Sequence, residues 1–300
     1  MKRHFYAILV VLSGVFWGSS CLFIDHLTRN APFTSFQNTA IRFTVAAVIL
    51  NLILIIKGRG FSLYRITRKA FLITVISGFF SVFSMSALYF SCMTQTSASV
   101  AVILLYTAPI FVMIMSLIFF KEKLTVQKSV AFLFAIVGCA LVSGIASGAS
   151  FNAIGILLGL AGGFAYSLYG ILTAFFMKEN NNPLAFTALS FLFASIAALA
   201  VSKPWEIIAF IPKAQAPLEL IAVGIGLGLC TAVIPFLLYT VGLKGVKPDI
   251  ASILAFSEPL TACLIGTLIL KQPMDAFGVI GIVCVCAAIL ILNLPQRKRA

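Results

Sequence analysis

The segment ILAFSEPLTACLIG (Ile253–Gly266) places a glutamate and a proline inside an otherwise apolar run. Such a run is expected to lie in lipid, where a lone carboxylate is unfavourable by on the order of several kcal/mol unless it is paired, protonated or hydrated. Glu258 is nine residues beyond Asp249. At about 1.5 Å per residue it would lie about 13.5 Å deep, near the middle of a hydrocarbon core about 30 Å thick. The segment therefore predicts a specific role for one acidic side chain at mid-membrane.

A second copy of this segment lies 150 residues earlier in the chain. LLYTAP (104–109) aligns with LAFSEP (254–259) without a gap, and Ala108 occupies the position of Glu258. Further pairs support the alignment, the last with a shift of one residue: Leu88-Tyr89 with Leu238-Tyr239, Lys121 with Lys271, and Gly14–Trp17 with Gly163–Tyr166. The alignment predicts two repeats, residues 1–147 and 148–300.

The composition indicates a membrane protein. Of the 300 residues, 61% are hydrophobic and 10% are charged, against about 25% charged in soluble domains. Because five helices separate equivalent positions, the two repeats would cross the membrane in opposite directions. The sequence predicts an all-α membrane protein with ten transmembrane helices in a 5+5 inverted-topology repeat. The ten apolar runs are 5–25, 35–56, 70–91, 98–119, 126–145, 153–177, 183–202, 219–242, 249–270 and 275–294.

The distribution of basic residues predicts the orientation. The chain has 21 Lys and Arg against 8 Asp and Glu, a formal net charge of +13. Sixteen of the basic residues fall in connections on the side of both termini, and four fall on the other side (Arg29, Lys203, Lys213 and Lys271). The positive-inside rule then puts both termini in the cytoplasm, and it explains the basic balance without a nucleic acid partner. We expect a multi-pass protein of the bacterial cytoplasmic (inner) membrane.

The two ends of the chain and its cysteines fit this interpretation. The first apolar segment is interpreted as a transmembrane helix rather than a cleaved signal peptide, because further spans follow it. The seven cysteines lie in or at the edges of apolar runs. Their odd number and their placement argue against a disulfide framework or a zinc site.

Several short motifs occur in a fixed order along the chain. They are Gly14–Gly18 (GVFWG), Arg42-Phe43, Tyr106–Pro109 followed by Lys121-Glu122, and Ser257–Pro259. With ten spans and the duplication, the chain resembles the EamA-type branch of the drug/metabolite transporter superfamily over nearly its whole length. The resemblance implies a central cavity between the repeats and the transport of small metabolites, often outward. Lys271-Gln272-Pro273 departs from the charged Gly-Glu turn of many members, which affects the details of that outer turn.

Two charged residues are candidates for the transport chemistry. Glu258 has two interpretations: a substrate contact or proton-coupling site, or a neutral, hydrogen-bonded side chain that locks its helix to a neighbour. Arg42 could neutralise a substrate carboxylate or pair with Glu258, or its stem could extend to the outer interface. Ser257, beside Glu258, is included in the candidate cavity.

Aromatic and proline residues complete the candidate site. Buried Tyr and Trp need hydrogen-bond partners, so some of them could line a polar cavity and stack on an organic substrate, while others pack in the core or in the interfacial belts. The aromatic candidates are Trp17, Tyr89, Tyr106, Tyr166 and Tyr239. Pro109, Pro259 and Pro235 lack an N–H and are expected to free the carbonyls of Leu105, Ala255 and Thr231, either as simple kinks or facing a cavity. The position equivalent to Pro235 is Met85, so the repeats are not identical.

Three function classes are possible for such a membrane protein: a transporter, an intramembrane enzyme, and a channel or structural protein. The prediction is a secondary active transporter, an exporter of a small organic metabolite such as an amino acid, working by alternating access without a cofactor or metal. No Gly-x-x-x-x-Gly-Lys motif is present to indicate ATP drive, so substrate or proton gradients would supply the energy. An intramembrane enzyme is disfavoured because the histidines, His4 and His26, lie at the ends of the first span. A channel or structural membrane protein is the alternative, and the oligomeric state stays open.

Overall fold

The computed structural model describes residues 2–142, 152–271 and 276–293, apart from Arg59, Phe61, Ser97 and Asn180. These residues form α-helices joined by short connections, and the described part of the chain contains no strand. The helices are α1 (Lys2–Gly18), α2 (Ser20–Asn30), α3 (Ser35–Lys57), α4 (Arg68–Ile76), α5 (Ser84–Gln95), α6 (Ala98–Leu105), α7 (Ala108–Phe120), α8 (Val126–Val142), α9 (Ala153–Met177), α10 (Pro183–Ser202), α11 (Pro204–Phe210), α12 (Pro217–Gly228), α13 (Ile234–Gly242), α14 (Pro248–Leu254), α15 (Ser257–Leu268) and α16 (Ala276–Asn293).

Eight helical segments are long and apolar enough to cross a membrane within the described residues. They are His4–Asn30, Ser35–Lys57, Arg68–Gln95, Val100–Phe120, Ala153–Met177, Pro183–Ser202, Pro217–Gly242 and Pro248–Leu268. Two shorter apolar helices, α8 and α16, occupy equivalent places at the ends of the two repeats. The expected outer turn at Gln272-Pro273 lies outside the described residues.

The connections gather at two ends of the bundle. We call the end with residues 58–67, 121–125, 178–182 and 243–247 the basic end, and the end with residues 31–34, 203–216 and 269–271 the opposite end. Lys69 and Glu179 form an ion pair of 3.2 Å at the basic end. At the opposite end, Gln37 donates a hydrogen bond of 2.9 Å to Glu206. Each of these contacts joins the first half of the chain to the second.

Helices at equivalent positions of the two repeats pack on one another. The helix α8 packs along α16, and α3 packs along α10. In addition, α1 contacts α13 and α15, while α9 contacts α5 and α7, which are the equivalent neighbours in the other half. In lipid, close packing rather than the hydrophobic effect holds such helices together. The halves therefore interlock throughout their length instead of touching at one surface.

The local backbone also repeats. The aligned Lys121 and Lys271 both adopt the left-handed conformation, with φ of 54° and 58°, which is uncommon for a residue other than glycine. A π-helical segment, Ser77–Phe83, joins α4 to α5, and another, Leu229–Val233, joins α12 to α13. Because only the second of these precedes a proline, Pro235 cannot be the sole cause of the distortion. The expected proline kink is part of a deformation that both halves share.

Aromatic side chains fill the bundle between its centre and the basic end. Phe191 contacts Phe236 and Phe43, with ring centroids 4.8 Å and 5.5 Å apart. Phe186 contacts Phe176 at 5.2 Å and Tyr169 at 5.4 Å. Edge-to-face and tilted pairs of this kind stabilise the packing beyond the area they bury. This part of the bundle is therefore closed by tightly packed rings.

Candidate functional site

Two spans are broken at equivalent positions. The first break separates α6 from α7 at Tyr106-Thr107, and the second separates α14 from α15 at Ala255-Phe256. The turn residues Thr107, Ala255 and Phe256 keep right-handed helical torsion angles, so the proline kinks stay a prediction at both places. Pro109 and Pro259 lie in the first turn of a new helix, where the N–H that proline lacks would have no intrahelical partner. The Ala255 carbonyl is not left free, because it accepts the N–H of Glu258 at 2.9 Å.

The two breaks meet at the centre of the molecule. The rings of Tyr106 and Phe256, which are equivalent residues, lie 5.2 Å apart. Trp17 and Tyr166, the other aligned pair, are also in contact, with ring centroids 6.3 Å apart. Equivalent residues can touch only where the local axis that relates the halves passes between them. The candidate site therefore lies on that axis.

Glycines allow a helix of one half to press against the break in the other half. A Cβ atom at Gly14 would clash with the Ser257 hydroxyl oxygen. A Cβ atom at Gly163, the equivalent residue, would lie 2.7 Å from the hydroxyl oxygen of Thr107, which is equivalent to Ser257. Ser257 itself is buried and donates a hydrogen bond of 2.8 Å to the Val11 carbonyl. Its hydroxyl hydrogen thus joins α15 to α1 rather than facing a cargo.

Glu258 is the second residue of α15 and is partly exposed. The side chains of Tyr106 and Tyr166 lie close enough to its carboxylate to interact with it. The positive end of the α15 dipole adds a further favourable interaction with negative charge. Two of the five aromatic candidates, one from each half, therefore converge on Glu258.

Arg42 lies in the same region but does not form a direct ion pair with Glu258. It exerts an electrostatic influence on Glu258 and Tyr166, while the described ion pairs, defined by an N–O distance of 4.0 Å or less, do not include it. Its guanidinium lies 5.2 Å from the centre of the Phe43 ring. Its Nε atom is buried without a hydrogen-bond partner among the described residues. The expected Arg42–Glu258 pair is thus a separated pair of opposite charges.

Trp17 provides a second unpaired donor. Its ring packs on Phe236 and Tyr239, with centroids 5.0 Å and 5.6 Å away. Its indole Nε1 is buried and has no hydrogen-bond partner within the described part of the chain. Buried Trp N–H groups normally have an acceptor, so this donor is available to a cargo.

Tyr89 and Tyr239 differ although they are aligned. Tyr89 is partly exposed and within electrostatic range of Glu258. Tyr239 is buried and packs on Tyr169, with ring centroids 6.2 Å apart. Tyr89, Arg42, Tyr166 and Glu258 are all partly exposed and lie between the ends of their helices.

A pocket adjoins the breaks. Its volume is about 20 Å³, and it is lined by Tyr106, Pro109, Tyr166, Ser167, Tyr239 and Ser252, among others. This volume holds about one water molecule and is far below the range of about 300–1,000 Å³ for small-molecule sites, so the space is nearly closed in this conformation. Aromatic rings and hydroxyl groups form its walls.

Two buried polar features are not apparent in the sequence. Tyr169 donates or accepts hydrogen bonds with Thr187 at 3.3 Å and Thr240 at 2.8 Å, and all three are buried. Lys128 and Asp249 form an ion pair whose side chains are 5% and 3% exposed. Both residues are at the edge of an apolar run, where a charge is ordinary, so no local pattern distinguishes them. The described residues hold no cluster of metal-ligating side chains, and the six cysteines described form no disulfide with one another.

Comparison with known proteins identifies the family. The EamA-like transporter family matches residues 4–144 and again residues 153–294. The chain belongs to this family. The chain is 25% identical to the uncharacterized transporter YxxF of Bacillus subtilis over 97% of its own length and 90% of the relative. It is 24% identical to the uncharacterized transporter YwfM of the same organism, over 100% of this chain and 97% of the relative.

The fold is shared with a solved structure. A protein crystal structure matches with a TM-score of 0.78 over 96% of both chains, at 17% identity. At this identity the match shows the fold alone. The family and the names of the relatives indicate a multi-pass membrane transporter rather than an enzyme.

Proposed function

We propose that this EamA family member is a secondary active transporter that exports a small zwitterionic metabolite, such as an amino acid. Ten membrane-spanning helices would form two inverted repeats, residues 1–147 and 148–300, around the cavity at the broken helices. The contact between the equivalent residues Tyr106 and Phe256 supports this arrangement. Alternating access would then arise from rocking of the interlocked halves about the axis between them.

One observation carries the choice of cargo. Arg42 lies within electrostatic range of the Glu258 carboxylate, Trp17 contacts Tyr166, and buried donors of Arg42 and Trp17 have no partner among the described residues. Because Arg42 and Glu258 are not in direct contact, a cargo with both charges can lie between them. Its ammonium group would pair with Glu258, and its carboxylate would accept hydrogen bonds from Arg42 and Trp17. The surrounding rings would contact an apolar or aromatic side chain.

Glu258 is also the proposed coupling residue. A proton and a cargo ammonium group compete for one carboxylate, so binding of either can release the other. Such exchange would let a proton gradient drive the cargo in the opposite direction. We propose that the basic end is cytoplasmic, since sixteen basic residues lie in its connections and termini.

Counterflow in proteoliposomes tests the transporter and its cargo class together. Purified protein is reconstituted and preloaded with unlabelled amino acids of apolar or aromatic side chain, and uptake of the labelled compound is followed. We expect saturable, transient accumulation. Saturable counterflow restricted to compounds without both charges would overturn the zwitterion proposal. A non-saturable flux would favour a channel.

Matched variants locate the two charges of the cargo. Amino acid amides lack the carboxylate, and deaminated acids lack the ammonium group. Arg42→Gln should remove discrimination against the amides and retain discrimination against the deaminated acids. Glu258→Gln should do the reverse and should also abolish uptake driven by an imposed pH gradient. Equal loss of both kinds of discrimination in both variants would contradict the assigned roles.

A further inference from the structure

Besides the exposed Lys69–Glu179 pair, two further ion pairs join the halves at the basic end among the described residues. Lys128 of α8 pairs with Asp249 of α14, and Lys247 pairs with Glu122. Lys128 also donates to the Lys123 carbonyl at 3.2 Å. The Lys128 and Asp249 side chains are 5% and 3% exposed, so neither charge can be stabilised by solvent if the other moves away.

The opposite end has no equivalent of these charges in the sequence. The positions equivalent to Lys128 and Asp249 are Gly278 and Ser99. Those equivalent to Lys247 and Glu122 are Ser97 and Gln272. The duplicated chain therefore carries this ionic connection at one end alone.

The buried pair is directly connected to the candidate site. Asp249 is the second residue of α14, a helix of seven residues that ends at the break before Glu258. The same helix packs on α7, α8 and α9. Ser252, one turn beyond Asp249, donates a hydrogen bond to the Asp249 carbonyl at 2.9 Å and lines the pocket. A displacement of α14 at the ion pair would therefore move the pocket wall.

We infer that Lys128 and Asp249 form the gate at the basic end of the carrier. While the pair is intact, α14 is held against α8, the halves are joined at this end, and the cavity is closed to that side. Separation of the pair is required for the cavity to open toward the basic end. The inference rests on the proposed alternating-access function, but it concerns a contact that can be tested without a cargo.

Cysteine labelling from each side of the membrane tests the gate. In a background whose native cysteines are replaced, Ser252→Cys reports access from the basic end, and Thr261→Cys in α15 reports access from the opposite end. A membrane-impermeant maleimide is applied to vesicles of each orientation. Asp249→Asn should raise labelling at 252 from the basic end about ten-fold, the change given by about 1.4 kcal/mol. It should lower labelling at 261 from the opposite end.

Controls separate gate opening from general loosening. Glu179→Gln removes the exposed pair with Lys69 at the same end and should change neither rate by more than about two-fold, because exposed pairs contribute little. The swapped variant Lys128→Asp with Asp249→Lys should restore labelling close to that of the background protein. An increase at both reporters, or no change at either, would overturn the gate.

A variant in which both members of the pair are neutral tests the gate if Asp249→Asn fails to fold. Lys128→Gln with Asp249→Asn leaves no unpaired buried charge and should still raise labelling at 252 while lowering it at 261. Unchanged labelling in this variant would also overturn the gate. If labelling rises at 252 and falls at 261 but no amino acid shows counterflow, the gate is supported and the proposed cargo is wrong. If counterflow occurs but labelling does not change in opposite directions at the two positions, the proposed cargo is supported and the gate is wrong.

Discussion

The two broken spans have the same backbone and different chemistry. In each, a short helix ends and a new helix begins with a proline in its first turn, and a glycine of the other half packs against the hydroxyl residue at the break. Only the second break carries a carboxylate, because Ala108 is the counterpart of Glu258. Arg42 is likewise present in one half alone, since its counterpart at an offset of 150 residues is Leu192. The two halves therefore share the backbone of the break, whereas the charged side chains near it differ between them by single residues.

The largest expected effect comes from removing the charge that distinguishes the two breaks. Glu258→Gln should lower the counterflow rate by about 100-fold, because loss of one partner of a hydrogen-bonded, desolvated charge is unfavourable by about 2–5 kcal/mol. Glu219→Gln alters an exposed carboxylate that pairs with His26 and should leave the rate within about two-fold.

Moving the carboxylate to the other break tests whether its position matters for transport. Glu258→Ala combined with Ala108→Glu keeps one acidic group on the axis but places it in the half that lacks an arginine at the equivalent position. We expect counterflow to stay as low as in Glu258→Gln. Recovery of transport would show that the position of the charge, and hence the asymmetry, is unimportant.

The next effect concerns the helix contacts at the two breaks. Gly14→Ala should lower stability by about 1–3 kcal/mol, the usual range for overpacking, since its Cβ would also lie 2.9 Å from the Ala255 carbonyl. Gly163→Ala should have a smaller effect, because its nearest contact is longer, 2.7 Å to Thr107. Thermal unfolding in detergent measures both.

A neighbouring glycine is the matched control for these two. The nearest atom to a Cβ at Gly162 would be 3.5 Å away, which is an ordinary contact. Gly162→Ala should therefore change stability by less than about 0.5 kcal/mol. If Gly14→Ala and Gly162→Ala unfold at the same temperature, the close approach of α1 to the break is not required.

A moderate effect is expected for the hydroxyl groups that hold Glu258. Tyr106→Phe and Tyr166→Phe should each weaken the apparent affinity for cargo about five-fold, in line with about 1 kcal/mol for one hydrogen bond. Tyr169→Phe is the contrasting variant, because its hydroxyl bonds Thr187 and Thr240 instead. It should lower the unfolding temperature with little change in affinity. The same response from all three tyrosines would mean that none of the hydroxyls acts through Glu258.

The smallest effect is expected for the prolines that the two breaks share. Pro109→Ala and Pro259→Ala should each change stability by less than about 1 kcal/mol, because a first-turn proline neither removes a helical hydrogen bond nor clashes with a preceding carbonyl. Thermal unfolding of the two variants provides the measurement. A change near 3 kcal/mol, typical of a proline in a helix interior, would show that the spans are kinked helices rather than interrupted ones.

Some features could be predicted from the sequence because they are properties of composition and spacing. The apolar runs and the scarcity of charge predict membrane-spanning helices, since lipid offers no partner to backbone groups. The offset of 150 residues between the two LLYTAP-like segments predicts two related halves, and the family match covers both of them. Glu258 was identifiable as a candidate because an acidic residue deep in an apolar run is rare.

Other features depended on which helices come together, and one sequence does not specify that. The two-residue turns before Pro109 and Pro259, and the glycines that pack against them, were not apparent in the sequence. Three interpretations of Arg42 were open, and the distance between Arg42 and Glu258 is set by side chains along the whole contact between their spans. The sequence does not predict the Lys128–Asp249 pair, because the local pattern of a charge at the edge of a span is the same whether the side chain faces water or a buried partner. The apolar spans, the duplication and the acidic residue within a span can thus be predicted from local hydrophobicity and internal similarity. The breaks, the unpaired donors and the buried ion pair depend on contacts between residues distant in the chain, and for that reason they are visible in the folded protein alone.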